Sequence, residues 1–275
     1  MDLKSIQANM TKVVLPGGDP DGVYLYTPPS NQHSTILYAD APDMTFFTTQ
    51  KQYLDSLSED QRNVLASYSF VGDEVINQII RGTATPEGLM ALVEKFKRDP
   101  TDYNFFKVDL DQITVGNVVA ICSAYVAYFR KIFSTVPPVQ TPFRVYRGTK
   151  TFLQSFGGFI STTYYPFFTV AMKDLFTGTD CCIYELTIQK GVRALWLEPI
   201  SHVQNEREIL LDPSVLHTSS PVLKNVLFIP GPSSKIQSTR QVQVYESTLS
   251  PSVGGKRRRK QTKRSKRRTR KSSKQ

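Results

Sequence analysis

The sequence predicts an α+β fold, and three observations carry that expectation. Helical periodicity occupies residues 57–135, strand-like segments follow from 143 to 247, and the two textures do not alternate. Segregated runs build helices against a mostly antiparallel sheet, whereas a parallel doubly wound sheet interleaves helix and strand. No glycine-rich phosphate loop precedes a helix, so Walker-type and dinucleotide-fold readings are excluded. The expected architecture is a set of N-terminal helices followed by two packed, mostly antiparallel sheets with a cleft between them.

Taken in order, residues 1–50 are rich in Pro, Gly, Asp, Thr and Asn and contain the turn run 17–22. They read as a poorly structured lead-in with short strands near 22–26 and 34–38. Ser58 and Gln61 have capping-box spacing and open a helix that runs through Tyr68. A second helix fits 73–81 and stops at Gly82. Thr85-Pro86 opens a third, to about 98, with Leu89, Leu92, Val93 and Phe96 on one side. The fourth covers 113 to about 135 and is closed by Pro137-Pro138. Its apolar run, 115–129, is too short for a bilayer and reads as a buried helix. Strands are expected at 143–147, 158–162, 181–188, 193–197, 206–211, 222–229 and 241–247, interrupted by one helix at about 166–175.

Charge is unevenly distributed. Residues 256–275 carry 13 of the 34 Lys and Arg and no acid, which leaves 21 bases against 24 acids in residues 1–255, a net −3. The body is mildly acidic and the tail is a polycation, which bears on partners and not on fold. The expected organisation is a lead-in 1–50, a catalytic domain 51–249 and a disordered basic tail 250–275. Cys122, Cys181 and Cys182 have neither disulfide-framework nor zinc-site spacing, which points to a reducing compartment. With three scattered His, no metal is expected. Residues 1–10 lack the apolar run of a secretory signal, so an intracellular location without membrane insertion is expected.

The chemistry-bearing stretch is Asn205-Glu206-Arg207-Glu208, followed by Ile209, Leu210 and Leu211. In a strand, Glu206 and Glu208 would share one face about 6.6–7 Å apart. A charged edge strand that discourages edge pairing would read the same way. Two further blocks precede it in order: Phe143 to Gly148, containing Arg147, and Gly158 to Thr163, containing Ser161 and Thr163.

This series resembles the arginine, serine-threonine-serine, glutamate-x-glutamate pattern of the mono-ADP-ribosyltransferases of the clostridial binary-toxin class. Leu57-Ser58 through Ile76-Asn77 and Arg81-Gly82 is similar to the helical lead-in of the same family, so the resemblance covers about residues 55–247. It implies NAD as the substrate and the inter-sheet cleft as its site. Splitting NAD breaks an N-glycosidic bond through an oxocarbenium-like state, which a fixed negative charge stabilises. The resemblance assigns that charge to Glu208, the pyrophosphate to Arg147, and close backbone approach of the nicotinamide to Gly148. Ser161 would hold the catalytic carboxylate, Thr163 would contribute to the cofactor site, and Glu206 would orient or deprotonate a protein acceptor. Glu at position 206 implies an arginine acceptor.

This chain departs from the pattern at Thr163, where the family has Ser, and in residues 198–204, which lack the aromatic that toxins present to substrate. Two other functions stay open: an NAD glycohydrolase, which needs Glu208 but not Glu206, and a catalytically inactive nucleic-acid-binding or virion structural protein on the same fold. The tail 256–274 is expected to bind nucleic acid or another polyanion, or to direct nuclear localisation, by charge alone. Gly254-Gly255 followed by a basic C-terminus resembles proteins encoded by large DNA viruses.

Overall fold

The computed structural model describes residues 10–13, 23–26, 42–69, 72–98, 109–164, 181–201, 207–212, 216–229 and 240–252. The expected strand at 34–38, the helix at 166–175, Glu206 and the basic tail lie outside the described residues.

Five α-helices come first among the described elements after strands β1 (Met10–Val13) and β2 (Val23–Tyr26). Helix α1, Met44–Ser56, starts where Asp43 accepts the Phe46 N–H at 2.8 Å. It crosses the expected boundary at residue 50 and corrects the reading of 42–50 as loose lead-in. Its buried stripe is Phe46, Gln50, Tyr53 and Leu54. Gln50 belongs to it because its Oε1 accepts the Trp196 N–H at 3.2 Å.

Helix α2, Glu59–Ala66, carries the full capping box, with Ser58 and Gln61 bonding each other's backbone. A 3-10 turn, Ser67–Ser69, then turns the chain into α3, Gly72–Arg81. Gly82 ends α3 at φ 66, a left-handed C-terminal position that favours glycine. Helix α4 spans Pro86–Arg98 and α5 spans Val118–Phe133. Helix α5 begins later than the expected residue 113. Leu110–Gln112 is a 3-10 turn, and Asn117 accepts the Thr114 N–H at 2.7 Å while donating to the Gln112 carbonyl at 3.0 Å. Those bonds satisfy the backbone in a turn and defer the helix.

The strands that follow are β3 (Phe143–Thr149), β4 (Ile160–Thr163), β5 (Cys182–Ile188), β6 (Ala194–Trp196), β7 (Glu208–Leu211), β8 (Leu216–Thr218), β9 (Val222–Ile229) and β10 (Arg240–Pro251). They pair in the order β1-β2-β9-β10-β5-β3-β4-β7-β6, with β8 on β10. Among the described pairs only β5–β10 is parallel. The two expected sheets are one hydrogen-bonded path whose halves meet at a single β3–β4 register pair, Tyr146 with Thr163. Strand β10 reaches Pro251 because β8 pairs with Leu249, Ser250 and Pro251, so the folded body extends past the expected boundary at 249.

The small half, β4-β7-β6, separates two apolar clusters. Leu195 and Leu210 pack with Val75, Ile76, Leu89 and Phe129 of the helices. Ile160, Ala194, Ile209 and Leu211 pack with Val145, Tyr184, Leu186 and Ile188 of the larger half. Burial on both faces explains why β7 runs apolar without alternation. Phe159 anchors the entry to β4, its ring 5.0 Å from Phe129 and 4.9 Å from Phe133, both edge to face.

Candidate active site

Arg147, Ser161 and Glu208 stand on β3, β4 and β7, consecutive strands in the sheet. Thr163 is in register with Tyr146 of β3 on one side and Glu208 of β7 on the other. This brings residues 143–149, 160–163 and 208–211 together at the junction of the two halves. Glu208 is buried at 3% exposure and Thr163 at 5%.

Arg147 Nη1 donates to the Ser161 carbonyl at 2.6 Å. Its Nε is enclosed and has no hydrogen-bond partner among the described residues. Burial pulls the Arg147 guanidinium below its ordinary range. Tyr68 opposes that shift, Arg81 deepens it, and Glu208 and Asp73 oppose it. A partly desolvated guanidinium attracts an anion more strongly than one in bulk water. Ser161 enters this geometry through its main-chain carbonyl. The hydroxyl of Thr162 reaches across to the Ile209 carbonyl at 2.6 Å and ties β4 to β7. Gly148, half-buried, pairs with Ile183 of β5.

Glu206, expected to share a strand face with Glu208, lies outside the described residues. Strand β7 begins at Glu208, and Arg207 has φ 52, the left-handed region that a non-glycine residue rarely adopts.

Helix α3 brings to the site residues that the three strand blocks do not contain, Asn77 and Arg81 of the helical lead-in and Asp73 beside them. Asp73, Asn77 and Arg81 recur at four-residue spacing and so share one side of the helix. Asn77 Nδ2 donates to the Tyr68 hydroxyl at 3.3 Å, and that hydroxyl donates to the Phe159 carbonyl at 3.3 Å. Arg81 Nε donates to the Gly157 carbonyl. Gly158, at φ 92, sits so close to Asn77 Oδ1 that a Cβ would overlap it. The helix thus fixes the loop entering β4, and with it the Ser161 carbonyl that holds Arg147. Asn77 Oδ1 is a second enclosed atom with no hydrogen-bond partner among the described residues.

Burial lifts the Asp73 carboxyl to about 6; a hydrogen bond with the Glu74 backbone opposes the shift, the Glu74 charge adds to it, and Lys95 and Arg147 oppose it. Burial likewise pushes the Tyr68 and Tyr125 hydroxyls above their ordinary range. Among the described residues no group of three or more His, Cys, Asp or Glu side chains is placed to hold a metal ion. No helix among them is long and apolar enough to cross a membrane.

No protein-family model matches the chain, and no curated protein matches it significantly. Among solved structures it is similar to Plx2a, an ADP-ribosyltransferase toxin from Paenibacillus larvae, at 12% identity and TM-score 0.41 over 75% of this chain and 93% of that one. It is similar to the Clostridium limosum C3 exoenzyme at 14% identity and TM-score 0.41, over 75% and 91% of the two chains. BECa, an ADP-ribosylating toxin of a C. perfringens binary enterotoxin solved with NADH, aligns at 14% identity and TM-score 0.44 over 74% of this chain and 46% of its own. These are similarities at low identity, and the functional reading rests on the residues of the junction.

Proposed function

We propose that the chain is an NAD-dependent mono-ADP-ribosyltransferase acting on a protein arginine. The observation that carries the reading is that Arg147 on β3, its Nε enclosed and unmatched among the described residues, and buried Glu208 on β7 flank the single strand β4. A guanidinium fork suits a pyrophosphate, and a fixed carboxylate suits an oxocarbenium ion. The donor and acceptor capacity left at Arg147 Nε and Asn77 Oδ1 supports a polar occupant. NAD fits as that occupant.

In this reading Arg147 and Gly148 hold the cofactor's phosphate and nicotinamide side, with Ser161 and Thr163 forming the strand beside them. Glu208 stabilises positive charge at the ribose as the bond to nicotinamide breaks and nicotinamide departs with the bonding pair. The acceptor nitrogen then forms the new bond to the same carbon, and Glu206 takes its proton. Without Glu206 the acceptor would be water, which is the glycohydrolase alternative. No metal takes part.

Residues 256–274 would bind nucleic acid or another polyanion through counterion release, consistent with an intracellular and virion-associated setting. Incubation with labelled NAD and a crude lysate tests the main reading. Label on protein that hydroxylamine removes is expected. Label only in free ADP-ribose would make the chain a glycohydrolase, and no consumption of NAD would leave the inactive-fold reading.

A further inference from the structure

A groove of about 660 Å³ whose lining includes neither Arg147 nor Glu208 lies between α1, α2 and the 3-10 turn Glu198–Ile200. Its lining includes Leu54, Asp55, Arg62, Trp196, Glu198 and Ile200. The volume is that of a site for a small ligand or a few side chains.

Its charged groups are not equivalent. Lys51, also in the lining, pairs with Asp55 at 2.8 Å. Arg62 Nη1 donates to the Leu57 carbonyl at 2.9 Å and the Leu54 carbonyl at 3.4 Å, capping the end of α1. Glu198 differs. Its Oε2 accepts from two neutral donors, the Tyr164 hydroxyl at 3.1 Å and Trp196 Nε1 at 3.2 Å. Its Oε1 has no hydrogen-bond partner among the described residues, and no cation there forms an ion pair with it.

The aromatic donors are themselves braced. Phe47 packs edge to face on Trp196 at 4.8 Å and on Tyr164 at 5.3 Å. The main-chain N–H of Trp196 donates to Gln50 Oε1, and Gln50 is buried at 1% exposure. A carboxylate held in place by neutral donors, beside a tryptophan ring, presents its remaining oxygen to an incoming cation. Guanidinium matches both features, since it is planar, stacks on aromatic rings and forks onto carboxylates. Tyr164 also links the groove to the candidate catalytic strand, because its N–H donates to the Arg207 carbonyl at 3.4 Å.

We propose that this groove docks an arginine side chain of the acceptor protein, with its guanidinium on Glu198 Oε1 and against the Trp196 ring. The identity of the partner as an acceptor rests on the transferase reading, but binding of guanidinium does not. The site docks and does not modify, since neither Arg147 nor Glu208 lines it.

Trp196 is the chain's single tryptophan, so its fluorescence reports this groove directly. The full chain is titrated with a blocked triarginine peptide, and with a blocked triglutamate peptide as control, in the absence of NAD. A saturable change in emission with triarginine alone is expected, and Glu198→Gln should weaken it at least about tenfold, the loss of one charge-assisted contact. No change with triarginine, the same change with both peptides, or unaltered affinity in Glu198→Gln would overturn the proposal. A chain that binds triarginine but releases no nicotinamide refutes the transferase reading alone. One that releases nicotinamide but does not bind refutes the groove alone.

Discussion

Arg147 Nη1 donates to the main-chain carbonyl of Ser161 at 2.6 Å. The guanidinium is thus aligned by backbone, which leaves its charge uncompensated by that contact and its Nε enclosed without a hydrogen-bond partner among the described residues. Arg147→Lys retains a positive charge but loses the fork that uses both edges. KM for NAD should rise about tenfold or more with a smaller change in kcat. Nicotinamide release measured over a range of NAD concentrations separates the two, and an unchanged KM would remove Arg147 from the cofactor site.

Gly158 tests how α3 fixes the loop into β4. Gly158→Ala should cost about 1–3 kcal/mol, because the backbone is left-handed and the new Cβ overlaps Asn77 Oδ1. Adding Asn77→Ala should recover the part due to overlap and leave the backbone strain. Thermal unfolding of the two single variants and the double variant gives the coupling, and strict additivity would mean that the two residues do not press on each other.

These positions also show why parts of the molecule are hard to read from sequence. The capping box at Ser58 and the stop at Gly82 are legible because they are local backbone chemistry. Helix α1 is not, since Gln50 interrupts its apolar stripe and earns burial only through Trp196, 146 residues away. Arg147, Ser161 and Glu208 are legible as ordered blocks. Asn77 and Arg81 are legible as part of the helical lead-in, but what the Asp73, Asn77 and Arg81 stripe faces depends on the Gly157-Gly158 loop arriving from the sheet. The left-handed Arg207 has no sequence signal, because such backbone is associated with glycine, asparagine or aspartate. Trp196 and Glu198 meet Tyr164 only through the β4–β7–β6 pairing.

Asp73 makes stability depend on pH in a defined direction. Its folded carboxyl titrates at about 6 against an ordinary 3.8. The native state therefore holds more protons than the unfolded state between those values, and stability falls as pH rises through that window. Asp73→Asn should remove the penalty, raising stability by up to about 3 kcal/mol at pH 7.5. The gain should vanish below the ordinary carboxyl value. Denaturant unfolding at both pH values decides it; an equal gain at both would assign the effect to something other than ionisation.

Glu206 and Glu208 should separate in function. Glu206→Gln is expected to spare NAD hydrolysis while lowering transfer to an arginine-bearing peptide by about a hundredfold, the usual scale of general-base loss. Parallel assays of free nicotinamide and labelled peptide measure the two activities. Equal losses would show that both carboxylates serve the bond-breaking step.

The central claim is that Glu208, buried at 3% exposure on β7, stabilises charge developing on NAD. Nicotinamide release by the full chain, compared between wild type and Glu208→Gln at saturating NAD, tests it most directly. The substitution keeps size and removes charge, so kcat should fall about a hundredfold to a thousandfold, with thermal unfolding confirming that the variant is folded. Release by folded Glu208→Gln at the wild-type rate would contradict the account.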